Sequence, residues 1–464
     1  MMSWSTEEAD TTWEAGAYCS FALDAQGTPH IAYRSANRRS VWYATRAGGT
    51  WTTERIAGSL GDYESCWIED VAMTVDREGR PHVAFINNFY DYDRDEDYGP
   101  HFVGYSTKSA GTWTTTSVDD CAPYGTYLGV SVALTPDGCP AVLYIGNDWC
   151  NYGQLELATR VGESCNSWTS EVVPENMSSC YSTFYLSLAF DRSGHPHAAY
   201  RSCVERSVRY ARRGASEWTI ESVGVEGAGS TYYPSLVLDK DDIPCISYSR
   251  GTTADLVYAT RSGGVWSHAV VDTVGSVFAY SNALVLDRND NPHLAYVQFA
   301  PGDRNVRYAA YNGAAWKVVD VEAAVVTGLS TAIDVDLASI PSVVYDLPGG
   351  LFFRHLKAAV LPETNDVSLA IADAPALSIE PNVLQLGGMR IEITGTLSTQ
   401  CAVDIYDASG RRVHTLNLTR EAGGSLGGVW NGSDAHGNAL AAGTYFVLAR
   451  AGSTQLNSRI TLIR

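Results

Sequence analysis

The chain has no apolar run approaching the roughly 18–20 residues that a membrane-crossing helix needs, so no helical span is expected. Charge is sparse, 18% of the 464 residues, and basic residues are the scarcer kind, with 32 Lys and Arg against 52 Asp and Glu. A formal net charge of -20 argues against nucleic acid as a partner and against electrostatic attachment to anionic lipid. Walker loops, HExxH and CxxC are all missing, which leaves no ready-made phosphate cradle, zinc helix or redox pair. The first residues, "MMSWSTEEAD", lack a basic region and an apolar region, so no signal peptide is read in this chain.

What is abundant is Gly (42), Tyr (27) and Trp (12), a profile that suits an all-β extracellular protein. Ten cysteines are unusual in a reducing compartment, and none has zinc-ribbon spacing. Cys150 and Cys165 flank one presumed hairpin, while Cys66, Cys121, Cys180 and Cys203 fall near loops. One or more disulfides are expected. Cys19, Cys139 and Cys245 read equally well as small buried thiols.

The phrase "DAQGTPHIAYRS" recurs as "DREGRPHVAF", "DRSGHPHAAY" and "DRNDNPHLAY". Aligning on its turn puts Asp24, Asp76, Thr135, Asp191, Asp239, Asp287 and Asp336 in register, at spacings of 48 to 59 residues. Each unit holds four short strands. In the first they are "YCSFALD", "PHIAY", "VWYATR" and "TWTTERI". A Trp marks the fourth strand in six units, at Trp51, Trp113, Trp168, Trp218, Trp266 and Trp316.

The seventh unit lacks a fourth strand, and "SWSTEEA" with Trp4 at the other end of the chain matches the missing piece. A ring of sheets must fasten its last blade to its first, and a borrowed strand does so. The expected architecture is all-β: a seven-bladed β-propeller, residues 1–359, closed by an N-terminal strand that completes blade seven. A linker at 360–380 and a small β domain at 381–464 follow.

The last domain carries Ile405-Tyr406-Asp407, Gly410-Arg411, Trp430-Asn431-Gly432, Asp434, Gly437 and Gly443 with Tyr445-Phe446. As a set these resemble the C-terminal sorting domain of type IX secreted bacterial proteins and the related Ig-like module of flagellar hook-cap proteins. The resemblance implies an Ig-like β-sandwich that delivers a passenger to the bacterial surface or medium and can attach it there. It also implies an exported propeller whose signal peptide is absent from this chain. The propeller units resemble bacterial sialidase-like (Asp-box) repeats. No stretch reads Ser-x-Asp-x-Gly-x-Thr-Trp, so this likeness speaks to fold rather than activity.

His30, His82, His197 and His293 follow equivalent turns. A metal ring would bring about four ligands to one ion, and histidines in separate blades, one strand out from the axis, are poorly placed for that. Their expected role is a hydrogen bond to backbone or to the turn carboxylate.

The opposite face carries the loops that vary between blades, where binding sites usually lie. Tyr18, Arg34, Glu69, Asp70, Asn87, Tyr185, Arg201, Tyr232, Tyr233, Arg250 and Tyr280 surround one expected funnel mouth there. Arg offers a fork for carboxylate or sulfate, and Tyr a flat face for a pyranose. Glu69 or Asp70 would act as general acid or base, and Tyr185 or Tyr233 as base or nucleophile if an Arg lowers its pKa. Arg201 is the expected anion fork in that group. The bland alternative is that these tyrosines pack between blades and the arginines pair with nearby acids.

Blade two carries the insertion "NNFYDYDRDEDYGPHF". Asp91, Asp93, Asp95 and Asp97 alternate like the oxygen ligands of a calcium loop, but Glu96 and Phe102 stand where an EF-hand wants Gly and Glu. Calcium at a loop and a solvated acidic flap both remain open. His101 from this flap, and Asn147 and Trp149 from "GNDWCNYG", are further binding candidates.

The expected function is an exported or cell-surface propeller that binds or processes glycans through this funnel. If catalytic, it would be a sialidase-like glycoside hydrolase or a polysaccharide lyase. The rival is a non-enzymatic adhesive or protein-interaction propeller.

Overall fold

The computed structural model describes residues 4–11, 18–58, 66–89, 102–119, 129–148, 151–162, 165–176, 185–202, 204–224, 231–251, 255–273, 279–300, 303–322, 330–348, 354–360, 376–380, 383–384, 389–394, 401–407, 411–420, 426–451 and 454–462. Among these no helix is long and apolar enough to cross a membrane. The chain divides into two compact units: Met1–Tyr311 with Trp316–Pro362, and Glu363–Arg464 with Asn312–Ala315.

The first unit is built of seven antiparallel four-stranded sheets, each a blade running from the axis outward. The inner strands are Ser20–Leu23, Cys66–Val75, Val130–Leu134, Leu186–Phe190, Thr231–Leu238, Ala279–Leu286 and Thr331–Val335. In blades one to six the outer strands follow in sequence. In blade seven the outer strand is Ser5–Asp10, which pairs with Arg354–Val360 in the register Ser5↔Val360 to Glu8↔Lys357. The chain is thus a seven-bladed propeller closed by its own N-terminal strand.

The core lies in the seams between blades, because each sheet buries both faces against its neighbours. The second strands alternate small and large apolar residues and are buried along nearly their whole length. Two aromatic devices repeat at the seams. The outer-strand Trp of one blade sits edge-on to a third-strand Tyr of the preceding blade: Tyr43–Trp113, Tyr105–Trp168, Tyr210–Trp266 and Tyr258–Trp316, with ring centroids 5.2 to 5.4 Å apart. Trp4 meets Tyr308 in the same way, at 5.3 Å.

The second device is a buried hydroxyl on a carboxylate. Tyr144, Tyr200, Tyr296 and Tyr345 donate to Asp119, Glu175, Asp272 and Glu322 on the outer strand of the preceding blade, at 2.5 to 3.1 Å. Tyr33 of blade one donates to Asp10 at 2.6 Å, so the N-terminal strand again plays the part of an ordinary outer strand. Ala9, Ala332 and Val344 of blade seven then share one buried cluster with Phe21, Ile31 and Tyr33 of blade one.

The uniform face follows from a local rule. In six blades the turn Asp accepts the backbone N–H groups two and four residues on, as Asp24 does from Gln26 and Thr28 at 2.9 and 2.7 Å. The residue three after the Asp has positive φ, which Gly27, Gly79 and Gly194 adopt without strain and Asp242 and Asp290 adopt with it.

The four histidines stand just behind these turns. His30, His82, His197 and His293 each meet a tyrosine hydroxyl (Tyr43, Tyr105, Tyr210, Tyr308) through Nδ1 at 2.5 to 2.6 Å. Their Nε2 atoms face the turn carboxylates of Asp24, Asp76, Asp191 and Asp287 at 3.3 to 3.7 Å. Each is therefore a post within its own blade, and no metal-holding group is found among the described residues. Burial lowers the pKa of His30 and His82, and brings His197 down to about 4, so these three posts are neutral.

The described residues contain one disulfide, Cys139–Cys165, which ties the inner turn of blade three to its outer hairpin. Cys139 is thus not a lone buried thiol, because the two turns bring their Cα atoms to 5.4 Å. Cys19 and Cys245 are free and buried.

In the second unit the strands run Ala376–Glu380, Met389–Thr394, Leu426–Trp430, Arg412–Arg420, Cys401–Tyr406, Gly443–Ala451, Thr454–Leu462 and Val383–Leu384 in sheet order. Trp430, Val403, Ile405, Tyr445 and Val447 form its core, and the Trp430 indole N–H donates to the Ser433 carbonyl at 2.9 Å.

A chain lacking residues 1–10 is expected to lose the cooperative thermal unfolding of the intact propeller, since it removes Trp4 from the seam with blade six and Ala9 and Asp10 from the seam with blade one. Tyr33→Phe alone should cost about 2 kcal/mol in denaturant unfolding, because it leaves a buried carboxylate short of a donor. A truncated chain with the intact midpoint would refute the closure.

Candidate functional site

Six residues before each turn, the chain lies at or near the start of the inner strand, beside the axis. The seven residues at this level are Tyr18, Asp70, Gly129, Tyr185, Tyr233, Ser281 and Ser330. Where the residue is short and polar, it latches the next blade. Asp70 Oδ2 accepts Val130 N–H at 3.0 Å, Ser281 Oγ accepts Thr331 N–H at 3.0 Å, and Ser330 Oγ accepts the N–H groups of Tyr18 and Cys19 at 3.0 and 3.2 Å. A second tier lies two residues further on. Ser20, Ser131, Ser187 and Ser235 accept the N–H of Met73, Leu188, Leu236 and Leu284 at 2.9 to 3.1 Å.

In blades one, four and five the first position is tyrosine. Tyr185 and Tyr233 lie with ring centroids 4.2 Å apart, and Tyr232 is 6.1 Å from Tyr233. Tyr18 and Tyr233 are held at φ 61° and 57°, a region that bulky side chains rarely adopt. The Arg34 guanidinium stacks over Tyr18 at 4.4 Å, and that of Arg201 over Tyr232 at 4.6 Å. Tyr18, Tyr185 and Tyr232 are half-buried, leaving part of each at the mouth of the axis.

The electrostatics join these blades. Burial raises the pKa of Tyr185 well above the usual phenol range, and Tyr233, Tyr18 and Asp70 push the same way. Burial also pushes Asp70 up to about 7, against the pull of the Val130 and Val71 N–H groups and of Arg34. Arg34 is brought down to about 10 by burial and by Arg38.

The structure therefore gathers Tyr18, Arg34, Glu69, Asp70, Tyr185, Arg201, Tyr232 and Tyr233 at one end of the axis. Three details differ from expectation. Tyr185 is not activated as a base by a neighbouring arginine, since desolvation outweighs any cation here and keeps its hydroxyl protonated. Arg34 is not an open anion fork: it is 6% exposed, and Nη1 donates to the carbonyls of Ile68 and Glu69 at 3.3 and 3.1 Å. Arg250 faces Asp255 of its own blade at 3.5 Å. Glu69 and Asn87 are buried, 4% and 1% exposed. Tyr280 and Asn147 lie in strands whose backbone is described, but their side chains fall outside the described residues, as do His101, Trp149, Asp91, Asp93, Asp95 and Asp97.

Sequence reasoning missed the latches. Their signal was present as Ser at one register in four blades, but it gains meaning when neighbouring blades are placed. It also missed a cleft of about 700 Å³ on the opposite face, lined by turn residues of blades two to four. Arg80 and Arg192 at that cleft are paired with Asp76 and Asp242.

Residues 383–455 match the FlgD Ig-like domain family. The comparison with curated proteins gives no match. Among solved structures, the chain is similar to an ulvan lyase of a polysaccharide lyase family, at 11% identity and TM-score 0.50, over 79% of this chain and 98% of that one. It is similar to AofleA from Arthrobotrys oligospora at 11% identity and TM-score 0.44, over 68% and 89%. The fungal lectin of Aleuria aurantia, a six-bladed β-propeller, matches at 12% identity and TM-score 0.44, over 68% and 99%. Likeness at such identities concerns fold, and it does not mark the repeats as sialidase-like.

Asp70 offers a test of the latch. Its folded pKa lies above its unfolded one, so its contribution to stability is highest at low pH and is lost as pH rises from about 4 through 7. Asp70→Ser copies blades six and seven, keeping an acceptor for Val130 and removing the charge. Measured by urea unfolding, the variant should gain on the order of 2 kcal/mol relative to wild type between pH 5 and pH 8. Parallel pH profiles would show that Asp70 does not titrate as a buried latch.

Proposed function

We propose that this chain is an exported propeller that binds or processes a glycan at the axial tyrosine cluster. The observation that carries the reading is the exchange of latch for tyrosine in blades one, four and five. A short polar residue at this level fastens two blades, and tyrosine gives that up. What the tyrosines supply instead is aromatic surface with hydroxyl tips at the mouth of a rigid scaffold, the combination that suits a pyranose ring.

Two further observations support export. The Cys139–Cys165 disulfide suits an oxidising compartment. The FlgD-like module is in keeping with a sorting domain of the type IX kind, which would carry the propeller to the bacterial surface or medium.

If the ring also turns its ligand over, as a sialidase-like hydrolase or a lyase, Asp70 is the group whose pKa suits proton transfer near neutrality. Glu69 lies beside it, and the Tyr185 and Tyr233 hydroxyls would act as donors. Without turnover, the same ring is a binding module, and the two readings share their contacts.

A panel of polysaccharides and chromogenic glycosides, run beside a glycan array, tests this. Wild type should bind or cleave at least one glycan. Arg201→Ala and Tyr232→Ala should each weaken that response about tenfold or more while keeping the thermal midpoint within a few degrees. A response untouched by both variants would move the site elsewhere.

A further inference from the structure

We infer that the sugar unit entering the axial ring is uncharged, a neutral pyranose rather than a uronate or a sulfated sugar; this rests on the glycan reading above. Among the described residues, the arginines nearest the ring are already committed. The Arg34 fork is turned to two backbone carbonyls and covered by Tyr18. Arg250 faces Asp255, and the Arg201 guanidinium sits over the Tyr232 ring at 4.6 Å. On the acidic side, Glu69 and Asp70 stand beside Tyr18, and Asp346 is fully buried beneath Ser330, accepting its N–H and Oγ–H at 2.9 Å each.

An incoming carboxylate or sulfate would meet these carboxyl groups at short range in a partly desolvated site, where like charges repel strongly. Its natural counter-ions are held by the protein. The chain as a whole, at -20, adds no attraction. A neutral sugar avoids that penalty. It finds the half-buried rings of Tyr185 and Tyr232 for its C–H surface, and phenol hydroxyls that can both donate and accept. Arg38, exposed on the adjoining loop, lies outside the ring, and its charge belongs to the rim.

The test compares oligosaccharides of matched length, neutral against uronate-bearing and sulfated, by calorimetry at about 50 and 500 mM salt on the whole chain. Neutral oligosaccharides should bind with a Kd that changes less than about twofold with salt. Their acidic counterparts should bind at least tenfold more weakly, and Arg38→Ala should leave neutral binding unchanged. Tyr185→Phe, which keeps the ring and removes the hydroxyl, should weaken neutral binding severalfold without moving the thermal midpoint. Preferred binding of the acidic set, weakening steeply with salt and lost in Arg38→Ala, would overturn this inference and leave the glycan reading standing. Binding of neither set would overturn both.

Discussion

Everything in the propeller depends on the seam, the contact through which one four-stranded sheet holds the next. A lone sheet of this size cannot bury both its faces, so each blade is stable through its two neighbours, and the ring is stable when the last seam is made as well as the first. Each seam has tiers. Near the axis a short polar side chain takes a backbone N–H of the next blade. Midway, apolar residues interdigitate, and at five of the described seams a tyrosine hydroxyl reaches a carboxylate. At the outside of five of them, Trp lies edge-on to Tyr. The N-terminal strand brings Trp4 to the seam with blade six and Ala9 and Asp10 to the closing seam with blade one, and Trp4 and Asp10 take the places their counterparts hold elsewhere.

The seam also explains why one face is uniform. An Asp that accepts two N–H groups makes the turn, and a neutral His between that Asp and a Tyr hydroxyl fixes the turn to the third strand. Such a unit is finished: its hydrogen-bonding capacity is used within the blade. Burial lowers the histidine pKa while the N–H donors lower that of Asp24 and Asp76, so the pair has no reason to exchange a proton near neutral pH. A conspicuous histidine repeat is here a sign of completed structure.

Blade number and closure were legible in the sequence because turn, strand alternation and Trp spacing are local signals repeated along the chain. The latches were not, because Ser20 or Ser281 acquires a partner when a strand some fifty residues away is set beside it. The true state of Arg34 was equally hidden. Its residue type suggested an anion fork, and the fold turned it to the carbonyls of Ile68 and Glu69, which depends on a bulge in the Cys66–Val75 strand between Ile68 and Val71. Cys139 was hidden for the same reason, its partner lying across a hairpin rather than along it.

The departures from the repeat carry the functional argument, and strain alone does not mark them. Ser281 shares the positive φ of Tyr18 and Tyr233, yet it is held on both sides by Thr331, which donates its N–H to Ser281 Oγ and its hydroxyl toward the Ser281 carbonyl. This backbone geometry therefore accompanies a latching serine as well as a tyrosine. What separates blades one, four and five is the side chain placed on that geometry. Blades six and seven show that a serine there suffices to join neighbours, so a tyrosine at the same level is not required by the seam. Its aromatic ring and hydroxyl are surplus to the latch, and in blades one and four part of that ring is left half-buried where the axis opens.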